Sequence, residues 1–178
     1  VEGSDTLLNV LSDNQIFIPS ACGGKATCGL CKVTVKDGGG ERKPTEDPFL
    51  NAQEKAKGVR LSCQVKVRNN MSVSIPEGLM EAVEYRAKVE AVEDLTYDTK
   101  LVRFNLIEPN TIDFKPGQFC QIRVPVLDII RAYSIASDVK NNKIVEFIVR
   151  LVPKGQATTF IHKAMLTGDE IILTGPCG

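Results

Sequence analysis

The chain contains no tryptophan and a single histidine, His162, among its 178 residues. Imidazole acid–base catalysis therefore has one candidate, and no carboxylate stands in evident partnership with it, so His162 reads as a surface or packing residue. An excess of charge is missing too. Twenty-two Lys and Arg balance 22 Asp and Glu, which removes the electrostatic case for a nucleic-acid partner. No apolar run approaches the ~20 residues of a membrane span, and no secretory signal is visible. No segment reads as a dinucleotide-binding βαβ unit, and the Gly38–Gly40 run is too poor a match to any phosphate motif to be more than a turn. What remains is a hydrophobic content of 43% with 25% charged residues, ordinary for one or two globular domains.

Cysteine is where the chain is specific. Cys22, Cys28, Cys31 and Cys63 are spaced Cys-x5-Cys-x2-Cys and then 31 residues to the last, with the first three in a glycine-rich run from Ala21 to Cys31. Four thiolates are what a [2Fe–2S] cluster requires, and three from one loop with a distant fourth is the plant-type layout, here with five residues in the first gap instead of four. The glycines suit a loop that must bend around an anionic cluster and bring backbone N–H groups close to sulfur. Structural zinc usually draws on two Cys-x2-Cys pairs of matching spacing, and this chain has one. A disulfide framework is the third option, less suited to a chain large enough to build a core unaided. A reducing compartment, the cytoplasm by default, follows from thiols of this kind. Cys120 reads as a small core residue and Cys177 as a loop residue.

Two textures divide the sequence. Residues 1–78 form the cluster domain, with strands expected over Lys32–Lys36, Arg60–Val67 (carrying Cys63) and Met71–Ile75, and a short helix near Asn51–Lys57 closed by Gly58. A polar linker is expected over 79–85. From 86 to 178 come six strand-like runs: Arg86–Val92, Leu101–Leu106, Gln118–Val124, Ala132–Ala136, Ile144–Leu151 and Glu170–Thr174. Their spacing predicts a six-stranded antiparallel barrel, with one helix over Thr158–Met165. The fold class expected is thus α+β, mainly β.

Along that second half run Pro116-Gly-Gln-Phe119, Arg131-Ala-Tyr-Ser134, Ile148-Val-Arg150, Gly155-Gln-Ala-Thr158 and Gly175-Pro-Cys-Gly178, in that order. The series resembles the FAD-binding barrel of the ferredoxin–NADP reductase family. Joined to the cysteine loop, it resembles the ferredoxin–FAD electron-transfer reductases, a plant-type (β-grasp) [2Fe–2S] domain followed by a flavin barrel. Within them the cluster loop is most similar to that of the F subunits of Na+-translocating NADH:quinone oxidoreductases, with reductase components of oxygenases also related.

The resemblance implies that Arg131, Ala132, Tyr133 and Ser134 lie along the flavin. It further implies that Gly155, Gln156, Ala157 and Thr158 hold its pyrophosphate at the helix start, and that Ile148 and Arg150 stand on the neighbouring strand. A guanidinium fork suits phosphate, a tyrosine face suits isoalloxazine, and a serine hydroxyl suits flavin N5. The implied cofactors are a [2Fe–2S] cluster and FAD, with NADH bound by a further domain of a longer reductase of which this sequence is expected to be part. An opening ferredoxin strand is expected to be missing before Leu7. The implied partners are an NAD(P)H domain or donor protein, and an acceptor protein or membrane complex at the cytoplasmic face. A soluble oxygenase or corrinoid acceptor, or a non-enzymatic [2Fe–2S] carrier or sensor, is the alternative.

Overall fold

The computed structural model describes residues 5–68, 70–76, 82–125, 127 and 129–178. The chain divides between Glu81 and Ala82 into two compact units. That division falls inside the linker expected over 79–85. Residues 79–81 lie outside the described set, whereas Val83, Glu84 and Tyr85 already belong to a strand.

The first unit opens with helix α1 (Leu7–Asp13), whose cap is the Thr6 hydroxyl accepting from the Asn9 N–H at 3.3 Å. Strand β1 (Lys32–Asp37) is the centre of a three-stranded antiparallel sheet, flanked by β2 (Val59–Leu61) and β3 (Ser72–Ser74). Between β1 and β2 lie a 3-10 helix (Pro44–Phe49) and helix α2 (Ala52–Ala56), the latter closed by a reciprocal Asn51–Glu54 capping box. Gly58 turns α2 into β2 at φ +76°, with the Val35 carbonyl 2.8 Å from where a Cβ would stand. The core is Leu7, Ile18, Val33, Leu50, Leu61 and Val65, with Cys31 and Cys63 buried among them.

The strand expected over Arg60–Val67 ends at Leu61. Gln64 and Val65 both donate N–H groups to the Leu61 carbonyl, at 2.8 and 3.3 Å, so the chain turns and Cys63 sits on that turn. Pairing resumes at a single bridge, Thr6 with Lys66.

The second unit is a curled six-stranded antiparallel sheet. Its strands are β4 (Val83–Thr96), β5 (Thr99–Glu108), β6 (Phe119–Val124), β7 (Ile129–Ser134), β8 (Ile144–Arg150) and β9 (Glu170–Cys177). The order is β7-β6-β9-β4-β5-β8, and the edge strands approach where Ile135 bridges Phe147. Alternation along β8 sends Val145, Phe147 and Val149 inward at full burial while Ile148 and Arg150 face out. Inside, Phe104 meets Phe147 edge-on at 5.7 Å and Tyr133 lies 6.3 Å from Phe147.

Helix α3 (Gln156–Lys163) starts two residues before the expected Thr158, with Gly155 as its cap. The Gly175–Cys177 segment, expected as loop, continues strand β9 and buries Cys177. Gly175 permits this, because a Cβ there would lie 2.6 Å from the Cys120 sulfur on β6. Cys120 is wholly buried, in keeping with a core role.

Candidate functional site

The cysteine loop of the first unit is built on left-handed backbone. Gly23, Gly24, Ala26 and Gly29 all have positive φ, between 55° and 83°. Such successive turns aim N–H groups at the concave side. Lys25 and Thr27 donate theirs toward the Cys22 sulfur, and Ala26 toward the Cys63 sulfur. Gly29 also lies under Phe49, whose ring would be 2.5 Å from a Cβ.

The four thiols stand in twos. Cys28 Sγ donates to Cys22 Sγ at 3.4 Å, and Cys31 donates to Cys63. Two pairs suit a two-iron cluster, in which each iron takes two protein ligands. The electrostatics point the same way. Burial opposes ionisation of Cys22, yet the Thr27 N–H, the Cys28 thiol and the Lys25 N–H outweigh it and bring Cys22 down to about 7. The Cys31 S–H, against burial and with help from Gln64, brings Cys63 down to about 6. Cys31 itself is pushed up, because its proton is held by Cys63 and because it is buried. Cys22 and Cys63 thus ionise readily, and metal binding releases the protons that remain. By contrast, burial pushes Cys120 up to about 12 and Cys177 up to about 11, so both behave as inert core thiols.

Behind Cys63 lies a buried ion pair with no signature in the sequence. Arg60 Nε donates to both carboxylate oxygens of Glu46 (3.2 and 2.9 Å) and Nη2 to one of them (2.7 Å), while Nη1 and Nη2 also reach the Gly39, Gly40 and Glu41 carbonyls. Glu46 also accepts the N–H groups of Lys43 and Leu61, each at 2.9 Å. One carboxylate and one guanidinium thereby tie the glycine turn, the 3-10 helix and the strand that delivers Cys63.

In the second unit a cavity of about 370 Å³ is lined by Arg131, Ala132, Tyr133, Val152, Gly155, Gln156, Ala157 and Thr158. It brings together seven residues singled out from the sequence and adds Val152. Three others are elsewhere. Ser134 is exposed at the end of β7, Ile148 is 54% exposed on the outer face of β8, and Arg150 pairs with Asp98 at 2.8 Å. Arg150 borders a neighbouring cleft with Tyr97 and Pro153, which shares Val152 with the first.

The opening turn of α3 carries N–H groups that intrahelical bonding leaves over, at the positive end of the helix. Thr158 does not simply face the cavity. Its Oγ1 accepts the Val152 N–H at 3.1 Å and donates back toward the Gly155 carbonyl at 3.2 Å, so it locks the turn. A Cβ on Gly155 would stand 2.6 Å from that same oxygen. Tyr133 presents a half-buried ring, and burial pushes its hydroxyl pKa up. His162 contacts the Val149 carbonyl through Nε2 at 2.9 Å, a packing role that joins α3 to β8. The cavity can therefore receive an anionic group at the helix start and beside Arg131, and a flat ring against Tyr133.

Comparison with known proteins matches both units. A family model described as the 2Fe-2S iron-sulfur cluster binding domain covers residues 1–68, and one described as the oxidoreductase FAD-binding domain covers residues 86–178. The chain is 29% identical to the F subunit of the Na(+)-translocating NADH-quinone reductase of Serratia proteamaculans, over 98% of its own length and 52% of that protein. The corresponding protein of Pseudomonas paraeruginosa is 28% identical over the whole chain and 53% of its own length. Among solved structures, the Amycolatopsis cytochrome P450 reductase GcoB superposes with a TM-score of 0.71 at 30% identity, covering 98% of this chain and 53% of that one. The ferredoxin reductase in carbazole 1,9a-dioxygenase gives 0.65 at 26% identity, over 98% and 56%. The chain spans about half the length of the relatives it matches.

Proposed function

We propose a function from the family this chain belongs to, the electron-transfer reductases that carry a 2Fe-2S domain and an oxidoreductase FAD-binding domain: it relays electrons between FAD and a [2Fe–2S] cluster. The single observation that carries this is the division of four thiols into two pairs within the unit matched as a 2Fe-2S domain. When bound, FAD supplies two-electron chemistry and the cluster one-electron chemistry.

The residues' parts follow from their placement. Cys22 with Cys28, and Cys31 with Cys63, are the proposed ligands of the two irons. The Lys25, Ala26 and Thr27 N–H groups stabilise negative charge on the sulfurs. In the barrel, Arg131 and the first turn of α3 hold the pyrophosphate, and Tyr133 and Ala132 face the flavin ring. Thr158 and Gly155 act on the backbone, fixing the turn that offers its N–H groups. Ser134, Ile148 and Arg150 stand outside the cavity and have no assigned part.

In the whole protein, the donor is proposed to be NAD(P)H on a part of the reductase not represented in these 178 residues, and the acceptor a quinone-reducing membrane complex. Among the described residues no helix is long and apolar enough to cross a membrane, and we place the chain on the cytoplasmic side of such a complex. The test is photoreduction of the FAD-loaded chain under anaerobic conditions, followed by EPR. Flavin bleaching with the spin signal of a reduced [2Fe–2S] centre is expected. Flavin reduction with no iron–sulfur spin would refute the relay.

A further inference from the structure

Two clefts of the first unit, of about 350 and about 590 Å³, meet at the Gly38–Gly40 turn and share Arg60. Their walls carry Lys36, Arg42, Lys43, Lys66 and Arg68 against the carboxylates of Asp37 and Glu41, while Arg60 is already paired with Glu46. Residues 1–80 as a whole are close to balance, with 10 Lys and Arg against 9 Asp and Glu. Cations are thus sorted to this face. Lys36, Lys43 and Arg68 are exposed, and none of the three joins an ion pair among the described residues. Like charges held together repel, and a partner of opposite sign relieves them.

The face is preformed. Arg60 holds the Gly39, Gly40 and Glu41 carbonyls from behind. A Cβ on Gly38 would stand 2.5 Å from the Asn70 carbonyl, so the turn is pressed against the chain beyond Arg68. Such a face loses little freedom on docking. It also reaches the cysteines. Gln64 lines the larger cleft, donates to the Cys63 carbonyl at 3.2 Å and places Nε2 3.6 Å from the Cys63 sulfur. No lining residue is aromatic, so nothing is offered for a base to stack on, and Val35 is the one large aliphatic side chain, too little to enter a bilayer.

We propose that this basic face docks an acidic protein surface, that of the one-electron acceptor, with Gln64 at the contact nearest the cysteines. The partner's role as acceptor rests on the relay proposed above; the charge complementarity stands on the face itself. One electron passes, so the [2Fe–2S] centre is oxidised by one and the acceptor's centre reduced by one, with no bond made or broken.

The probe is cytochrome b5, a small acidic haem protein, titrated calorimetrically into the cluster-loaded chain at about 10 mM and about 1 M salt, where charges are screened beyond ~30 and ~3 Å. Wild type is expected to bind at low salt and to lose that binding at high salt. Lys43→Glu with Arg68→Glu is expected to weaken it about 10-fold or more. Lys140→Glu with Lys143→Glu, an equal change of net charge on exposed residues of the second unit, is expected to stay near wild type. No binding at low salt, binding indifferent to salt, or equal weakening in both variants at full iron and sulfide would overturn the proposal. Phosphatidylserine vesicles that capture wild type through Lys43 and Arg68 while cytochrome b5 does not bind would assign the face to a membrane and overturn it too. Haem reduction by the photoreduced chain is the second readout. Binding as expected with no haem reduction, in a chain complete in iron, sulfide and flavin, would refute the relay and leave the acidic-partner face standing.

Discussion

Replacing Glu46 with Ala should undo the first unit far more than any surface change of equal size. Glu46 is fully buried and Arg60 is 6% exposed, so removing the carboxylate leaves a guanidinium away from water with only the Gly39, Gly40 and Glu41 carbonyls as partners. The Lys43 and Leu61 N–H groups lose their acceptor at the same stroke. Breaking a buried pair from one side typically costs about 3–5 kcal/mol. A unit of this size is expected to hold roughly 4–12 kcal/mol in all, so the loss is a large part of its stability. Urea denaturation of the cluster-loaded chain, followed by the visible absorption of the iron–sulfur centre, gives the number.

The same carboxylate makes the effect pH-dependent. Burial opposes its charge, but the Arg60 hydrogen bonds and the Lys43 and Leu61 N–H groups outweigh that and hold its pKa below the ordinary 4.5. Its contribution is therefore complete above pH 4.5 and is lost as the pH falls through the lowered value. Wild type should show a steep acid limb that Glu46→Gln flattens. A Glu46→Ala loss under about 1 kcal/mol, with the acid limb unchanged, would refute the clamp.

Further consequences concern each half. Cys63→Ser should strip or shift the iron–sulfur spectrum, and unchanged iron content and absorption would remove Cys63 from the ligand set. Arg131→Ala should weaken FAD binding about 10- to 150-fold, the range of a charge-assisted hydrogen bond worth roughly 1.5–3 kcal/mol, with iron content untouched; equilibrium dialysis reads it. Gly155→Ala places a methyl group 2.6 Å from Thr158 Oγ1, so the opening turn must shift. Reduced flavin retention with little change in barrel unfolding is the expected outcome.

Motifs whose chemistry depends on residue type and short spacing were legible in the sequence. The cysteine loop, the Arg131–Tyr133 strand and the Gly155–Thr158 turn are of this kind, and the last two meet in one cavity. Strand content was legible through alternation, as along β8, but strand ends were not. Arg60–Val67 reads as one run, yet the chain turns after Leu61, whose carbonyl accepts the Gln64 and Val65 N–H groups. Likewise β9 runs on through Gly175 because Cys120 lies against it, a contact 55 residues away in sequence. The Glu46–Arg60 pair was invisible, since charged residues in polar segments read as surface. Thr158 shows the reverse limit, for its residue type suited phosphate while its hydroxyl is engaged with backbone.

The central claim is that one chain holds both redox groups. The most direct test is the visible spectrum of aerobically purified protein, with iron, sulfide and flavin quantified per chain. The bands of an oxidised [2Fe–2S] centre with about two irons and about two sulfides, together with about one FAD, are expected. Zinc without sulfide, or a colourless protein that takes up neither group on reconstitution, would contradict it.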